Sequence, residues 1–330
     1  KLGIRIVVVD TEGIPSFPDD FAQKISKLGP DKVVDYYTAW GHNTYSSLRK
    51  LSGLNIEKIY LIGAPRLDLH LNPYSEIWDK VNKKYILVNT NFPLVNSRFN
   101  SVEKEVQVLY EHGDSLESAR QRSSDTRRTF DQFCDDLLYI ATEFPDENFL
   151  IRSHPFENES HYIDYFSSLK NVKVSGEGEV FQALSGAKAL FHVNCGTALE
   201  SRLKGVIPFS LKYLAYGEVL KRAKVAYDVS EIINSREELV SIISSNFQNV
   251  DKTITTENEA ILTNFFYKND AKSTARLVEL LKSIQVENVT RDNKTKILTE
   301  FLKKGLNGLV FYLLYSIVGS YYLEKCRCMI

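Results

Sequence analysis

The chain has 330 residues, of which 43% are hydrophobic and 25% are charged, and its formal net charge is -1. The length suffices for two domains of ordinary size, and the near-zero charge excludes a protein that attracts nucleic acid through its overall field. The four cysteines follow no disulfide or zinc-site spacing, so we expect reduced thiols, no bound metal and a cytoplasmic protein.

The first predicted strand lies at the very start of the sequence. KLGIRIVVVD lacks an initial Met, and it lacks the basic, apolar and small-residue succession of a signal peptide. Its β-branched run over residues 4–10 is typical of a strand covered on both faces. We therefore expect the natural protein to begin earlier.

Short apolar runs then alternate with longer helical patterns. Further strands are predicted within 33–41, 58–66, 84–91, 148–154, 171–176, 188–194 and 206–211. Helices are predicted near 42–52, 123–144, 179–187, 196–205, 235–246, 256–266 and 271–285. This order predicts an α/β fold with parallel sheets, whose ligands bind at the carboxyl ends of the strands.

Two polar connections predict the domain boundaries. LNPYSEIWDKVNKK (71–84) and VENVTRDNKT (286–295) separate the strand–helix series from one another and from the last segment. We predict a partial N-terminal domain over 1–80, a second parallel-sheet domain over 81–290, and an amphiphilic C-terminal helix over 291–330.

The first candidate site follows the predicted strand in NFLIRSHPFEN. Arg152 and His154 share one face of that strand, and Pro155 ends it. A guanidinium and an imidazole on one face suit a phosphate. The alternative is a capped strand with an exposed histidine.

The second candidate site is HVNCGTALE (192–200). A strand ends at Asn194, and the N–H groups of a helix that begins near Thr197 can bind an anion, which Gly196 allows to approach the backbone. Glu200 is placed to accept hydrogen bonds from a ribose diol. The alternative is a capping box formed by Thr197 and Glu200, and a buried thiol is a better interpretation of Cys195 than a nucleophile.

Two other strand ends carry charged residues. In DTEGIP (10–15), Asp10 and Glu12 are candidates for a general base or nucleophile, or for a solvated turn. In YLIGAPRLDL (60–69), Arg66 and Asp68 follow a Gly-Ala-Pro turn, and a local salt bridge between them is the structural alternative to a role at the site.

Amide side chains mark a further strand end in ILVNTNFP (86–93), where Asn89 and Asn91 lie on one face. Asn91 is interpreted as a contact to an acceptor or to a donor sugar, or as a residue that holds a loop in place. Asp10, Asn91 and Asn194 together are the residues expected to position substrate.

Several common motifs are missing from the sequence: G-x-G-x-x-G, a Walker loop, H-E-x-x-H and C-x-x-C. Dinucleotide dehydrogenases, P-loop enzymes and zinc hydrolases are therefore not favoured. His161 and His192 are expected to be structural.

The segment KKGLNGLVFYLLYSIVGSYYLEKCR (303–327) combines an apolar run with basic flanks. The run is shorter than the roughly 20 residues of a spanning helix. Docking at the inner face of the cytoplasmic membrane is one interpretation, and a helix packed on the domain or on a partner is the other.

Taken together, six stretches resemble the bacterial surface carbohydrate biosynthesis proteins. They are VVVDTEGIP, YYTAWG, YLIGAPRLDL, YILVNTNF, FLIRSHPFEN and FQALSGAKALFHVNCGTALESRLKGVIPFS, in this order over roughly residues 4–212. That family resembles GT-B glycosyltransferases, in which two Rossmann-like domains face each other across a cleft. Its His-Pro element is similar to that of transferases that use CMP-activated acidic sugars such as Kdo and sialic acids.

The resemblance implies a GT-B-like fold with an acceptor-side first domain that lacks its opening units and a nucleotide-sugar-binding second domain. The residues that it implies for the donor are Arg152, His154, Gly196 and Thr197 at the phosphate and Glu200 at the ribose. Glu12 and His154 are the implied catalytic residues.

The implied activity is metal-independent transfer of a sugar from a nucleotide donor, with CMP among the candidate nucleotides, to a lipid-linked acceptor in surface polysaccharide biosynthesis. The nucleotide-sugar is a substrate, and no cofactor is expected. The open alternatives are a nucleotide-sugar 2-epimerase, a polyol-phosphate transferase and a non-catalytic nucleotide-binding assembly subunit.

Overall fold

A computed structural model describes residues 5–10, 34–50, 55–71, 84–222, 224–248 and 255–284. The first sheet in these ranges consists of β1 (Val7–Val8), β2 (Tyr36–Ala39) and β3 (Ile59–Leu61). The strands are parallel and neighbour one another in chain order.

The second sheet is larger and also parallel. Its strands are β4 (Tyr85–Asn89), β5 (Phe149–Arg152), β6 (Val172–Val174), β7 (Ala187–His192), β8 (Pro208–Ser210) and β9 (Glu231–Ile232), in the spatial order β6-β5-β4-β7-β8-β9. The chain moves outward from β4 to β6 and then returns to the other side of β4. The reversal places a topological switch point between β4 and β7, where sheets of this kind bind ligands. The predicted α/β class with parallel sheets is confirmed.

Helices connect these strands. In the described ranges they are α1 (His42–Lys50), α2 (Val102–Glu111), α3 (Leu116–Glu143), α4 (Glu159–Tyr165), α5 (Val180–Ser185), α6 (Thr197–Leu203), α7 (Gly217–Lys221), α8 (Lys224–Asp228), α9 (Arg236–Ser244), α10 (Thr256–Phe266) and α11 (Ser273–Ser283). Five of them begin at a side chain that accepts a backbone N–H of the first turn: Ser101, Ser115, Asn158, Ser235 and Thr255.

The central strand β4 is buried on both faces. Ile86 and Val88 belong to the main apolar cluster, which includes Phe130 of α3, whereas Leu87 packs in a second cluster with Leu184 of α5. An apolar run without polar alternation is what this two-sided burial requires.

Helix α3 begins earlier than the sequence predicted. It starts after the capping residue Ser115 rather than near residue 123. Its first half buries small and polar side chains, such as Ala119, Ser123 and Asp125, so the apolar periodicity that marks the second half is absent there.

A third apolar cluster joins the two sheets. Its buried members are Trp40, Ala64, Leu67, Ala198, Leu199, Ala226, Val229, Leu262, Phe265 and Phe266. Helices α10 and α11 return to the first sheet, against α1 and the 3-10 turn Pro65–His70 respectively. At Gly41, a Cβ atom would lie within 2.4 Å of backbone atoms of Asn264 and Phe265, so only glycine permits this close approach of α10.

Both predicted domain boundaries, near residues 80 and 290, lie outside the described residues, as does the segment 303–327. The three-part division therefore stays a prediction. Within the described ranges, no helix is both long and apolar enough to cross a membrane.

Candidate functional site

Polar residues from three neighbouring strands meet at the carboxyl edge of the second sheet. Asn91 follows β4, Arg152 ends β5, and Asn194 follows β7. The Thr90 N–H donates to the carbonyl of Arg152 at 3.2 Å, and Asn91 Nδ2 donates to the carbonyl of Asn194 at 3.5 Å. The fold thus brings these predicted residues together around the switch point.

Arg152 anchors the loop that follows β6. Its guanidinium donates to the carbonyl oxygens of Glu177 at 2.7 Å and Gly178 at 2.6 Å. Burial raises the pKa of the Glu200 carboxyl, and the positive charge of Arg152 acts against that shift. Arg152 therefore lies close enough to Glu200 for their charges to interact at one edge of the sheet.

His154 is held in a tight turn after β5. Its N–H donates to Thr90 Oγ1 at 3.2 Å, and its Nδ1 accepts from the Phe156 N–H at 3.3 Å. Its carbonyl accepts from the Glu157 N–H at 2.8 Å. Because Nδ1 accepts, the neutral imidazole carries its proton on Nε2 and is a hydrogen-bond donor there.

Glu157 is a residue whose role in this turn the sequence did not indicate. Its side chain is 2% exposed, and it accepts from the Phe92 N–H at 2.7 Å, from Thr90 Oγ1 at 2.9 Å and from the hydroxyl of Tyr162. Burial raises the pKa of the Glu157 carboxyl. Glu157 therefore joins the His154 turn to the loop after β4. The only indication of this role in the sequence is its position three residues after His154.

The start of α6 is open. Gly196 precedes the helix with φ −61°, and a Cβ atom there would meet nothing within 4 Å. The Cys195 thiol donates to Thr197 Oγ1 at 3.3 Å, and burial raises the pKa of that thiol. Cys195 is thus a buried thiol rather than an activated nucleophile, and space remains beside Gly196.

His192 supports this turn from inside the protein. It is fully buried, its Nδ1 accepts from the Cys195 N–H at 3.2 Å, and its Nε2 lies 2.9 Å from Ser230 Oγ. The Ser230 hydroxyl donates in turn to the Ala226 carbonyl. The neutral ring therefore donates from Nε2 to Ser230, and burial lowers the pKa of His192 to about 3.

The burial of His192 should make the free energy of unfolding depend on pH. Unfolded His192 takes up a proton as the pH falls below its ordinary pKa of 6.5, but the folded form does so only near 3. The free energy of unfolding should therefore fall by about 1 kcal/mol per pH unit on acidification between these values. Urea unfolding at pH 7, 6 and 5 should show this slope in the wild type and a shallower one in His192→Gln. The control His112→Gln replaces an exposed histidine and should keep the slope of the wild type. An equally steep slope in His192→Gln would contradict the account.

An ion pair connects the two sheets at their carboxyl edges. Arg66 Nη2 donates to Glu200 Oε1 at 2.6 Å, with Arg66 half exposed (52%) and Glu200 almost fully buried (5%). The Arg66 guanidinium lies over the Trp40 ring, 5.2 Å from its centroid, and Trp40 Nε1 donates to the Asp10 carbonyl at 2.8 Å. Burial raises the pKa of Glu200, and Arg66 and Arg152 oppose that shift.

The local pairing of Arg66 with Asp68 is therefore wrong. Asp68 instead accepts from the N–H groups of Ser273 at 3.1 Å and Thr274 at 2.8 Å, at the start of α11. The capping-box alternative for Glu200 is also wrong, because Glu200 pairs with Arg66 and no side chain caps α6. A local motif could not reveal a partner 134 positions away in the chain.

The predicted residue Glu12 lies outside the described residues, so its role stays a prediction. Asp10, the nearest described position, lies two residues after the end of β1 beside Trp40. Within the described ranges, no group of three or more His, Cys, Asp or Glu side chains could hold a metal ion.

No protein-family model matches the sequence, and no curated protein matches it. Among solved structures, the chain is similar to the UDP-GlcNAc 2-epimerase of Methanocaldococcus jannaschii in complex with UDP-GlcNAc and UDP. The identity is 16% and the TM-score 0.50, over 85% of this chain and 70% of that chain. It is also similar to a variant of the wall teichoic acid polymerase TagF, with 15% identity and a TM-score of 0.53, over 83% of this chain and 62% of that chain. These similarities confirm the GT-B-like α/β fold that the sequence resemblance implied.

Proposed function

We propose that this protein is a sugar-nucleotide enzyme, and specifically a glycosyltransferase that uses a nucleotide-activated donor. The observation that carries the proposal is the Arg66–Glu200 pair, which joins the carboxyl edges of both parallel sheets beside Arg152. Ligands of such sheets bind at these edges, so the pair lies where a donor would sit between the two sheets.

The chemistry of this edge suits a phosphate leaving group. Cleavage of a donor leaves negative charge on the nucleotide phosphate, and fixed positive charges and N–H donors stabilise that charge in the transition state. Arg66 and Arg152 supply charge, and the Nε2–H of His154 supplies a donor. Gly196 and Thr197 are proposed at the same phosphate, and Glu200 at the ribose hydroxyls.

The finer features of the proposal come from the sequence. The His-Pro element supports a CMP-activated donor, and the basic and apolar segment 303–327 supports a lipid-linked acceptor at the inner face of the cytoplasmic membrane. Glu12 is the proposed base or nucleophile, and Asp10, Asn91 and Asn194 are proposed to position substrate.

An assay with and without acceptor tests the reaction class. The full chain is incubated with CMP-, UDP-, GDP- and CDP-activated donors, and free nucleotide and epimerised sugar are measured. Acceptor-dependent release of nucleotide is expected for the transferase. Epimer formation without acceptor would favour the epimerase alternative, and binding without any turnover would favour the non-catalytic one.

Substitution of Gly196 should separate nucleotide binding from folding. Gly196 has a helical φ and open space around its Cβ position, so Gly196→Ala should stabilise the protein by about 0.5 kcal/mol. The larger Gly196→Leu should fold equally well but weaken nucleotide binding about tenfold, because its side chain occupies the space proposed for the phosphate, and this loss corresponds to about 1.4 kcal/mol. Calorimetric titration measures the affinity, and unchanged affinity in Gly196→Leu would remove Gly196 from the phosphate site.

A further inference from the structure

Two buried amide oxygens at the switch point accept no hydrogen bond from any group in the described residues. They are Oδ1 of Asn89 and Oδ1 of Asn194. The Asn89 side chain ends β4 and is only 6% exposed. Buried acceptors without a donor are rare in folded proteins and destabilise them. We therefore expect a bound ligand to donate hydrogen bonds to these two oxygens.

The neighbouring cysteine fixes the orientation of the Asn89 amide. The Cys195 thiol donates its proton to Thr197 Oγ1 at 3.3 Å, which leaves its sulfur as an acceptor. Burial raises the pKa of the Cys195 thiol, and a hydrogen bond from the Asn89 side chain acts against that shift. Asn89 therefore directs Nδ2 to the sulfur, and its Oδ1 is the end that needs a donor.

Both oxygens belong to the same place in the fold. Asn89 contacts Cys195, the residue directly after Asn194. Asn91 Nδ2 donates to the main-chain carbonyl of Asn194, which ties the loop after β4 to the loop after β7. The two acceptors thus flank the switch point between β4 and β7, where a ligand of this sheet is expected.

The charges nearby select the kind of donor. At this edge the positive charges of Arg66 and Arg152 balance the carboxylates of Glu200 and Glu179, so there is no excess of negative charge to attract an ammonium group. A phosphate offers only acceptors, which two amide oxygens cannot bind. A neutral hydroxyl matches the two acceptors and tolerates the cations.

We propose that Asn89 and Asn194 form a subsite that accepts hydrogen bonds from the hydroxyl groups of the sugar or polyol carried by the donor. The inference rests on the proposed function, because it assigns the part of the donor that lies beyond the phosphate. It gives Asn89 a role in donor binding, and it identifies a hydroxyl group of the sugar or polyol as the group that Asn194 binds.

The test compares each nucleotide with the same nucleotide carrying its sugar or polyol. Calorimetric titration of the full chain uses CMP against CMP-sialic acid, UDP against UDP-N-acetylglucosamine and CDP against CDP-glycerol, for the wild type, Asn89→Leu and Asn194→Leu. In the wild type we expect one sugar- or polyol-bearing ligand to bind more tightly than its parent nucleotide. Each variant should lose about fivefold in affinity for that ligand and keep its affinity for the parent nucleotide.

Asn171 supplies a matched control for folding. Its Nδ2 donates to the carbonyls of Ala141, Phe144 and Glu147 at 2.9–3.0 Å, so its hydrogen bonds are satisfied within the protein. Asn171→Leu should lower the melting temperature without ligand. Asn89→Leu should lower it much less, because it removes only the hydrogen bond to the Cys195 sulfur together with an acceptor that has no donor.

Three results would overturn the subsite. The first is an equal loss of affinity for nucleotide and nucleotide-sugar in the variants. The second is a fall in melting temperature of Asn89→Leu as large as that of Asn171→Leu. The third is a wild type that gains no affinity from the sugar or polyol: if the nucleotides still bind, only the subsite fails, whereas if none binds, the proposed function fails with it.

Discussion

Replacing His154 with alanine is expected to lower turnover by roughly 100-fold or more while the fold stays intact. The turn holds an imidazole whose Nδ1 accepts from the Phe156 N–H, so the neutral ring carries its proton on Nε2, which is the proposed donor to the leaving phosphate. Loss of one donor to developing negative charge costs about 3 kcal/mol in the barrier. Initial rates at saturating donor measure the effect.

Two further variants sharpen this prediction. His154→Gln keeps an N–H donor near the Nε2 position and should recover part of the lost rate. His112→Ala removes an exposed histidine at the end of α2 and should leave the rate unchanged. Near-normal turnover in His154→Ala, with an unchanged melting temperature, would remove His154 from the mechanism.

The second large effect is expected at Glu157. Glu157→Ala should destabilise the protein by about 4 kcal/mol, because it leaves the Phe92 N–H and the hydroxyls of Thr90 and Tyr162 buried without their acceptor. Each such group costs about 1–3 kcal/mol. Since Thr90 also accepts from the His154 N–H, the turn that positions His154 should loosen as well. Urea unfolding measures the stability change.

A graded series distinguishes this account from a general sensitivity of the region. Glu157→Gln keeps one acceptor oxygen and should cost clearly less than Glu157→Ala. Glu143→Ala removes an exposed carboxylate at the end of α3 and should change stability by less than about 0.5 kcal/mol. A cost for Glu157→Ala no greater than for Glu143→Ala would show that the Glu157 hydrogen bonds do not stabilise the fold.

The parts of the fold that depend on local pattern could be predicted from the sequence. The apolar run YILVN predicts a strand buried on both faces, and β4 is such a strand. The polar residues after the strands predict an edge that gathers Asn91, Arg152 and Asn194, because parallel strands end on the same side of a sheet. The start of α6 at Thr197 also follows from the local pattern.

The contacts that depend on long-range packing could not be predicted. Arg66 pairs with Glu200 rather than with Asp68, because the third apolar cluster brings the 3-10 turn of the first sheet against α6. Glu157 looks like an ordinary charged residue after His-Pro, and only the packing of Tyr162 and the loop after β4 makes it a buried acceptor. Side-chain pairing between distant segments has no periodic signal in a single sequence.

A nucleotide melting screen tests the central claim most directly. The wild type and Arg152→Met are heated with CMP, CDP, UDP or GDP, and the melting temperatures are compared with those of the protein alone. We expect at least one nucleotide to raise the melting temperature of the wild type by several degrees, because a ligand at a concentration of about 100 times its Kd stabilises a protein by about 2.7 kcal/mol. The same nucleotide should raise the melting temperature of Arg152→Met less. If none of the four nucleotides shifts the wild type, the facing sheet edges do not bind an activated donor.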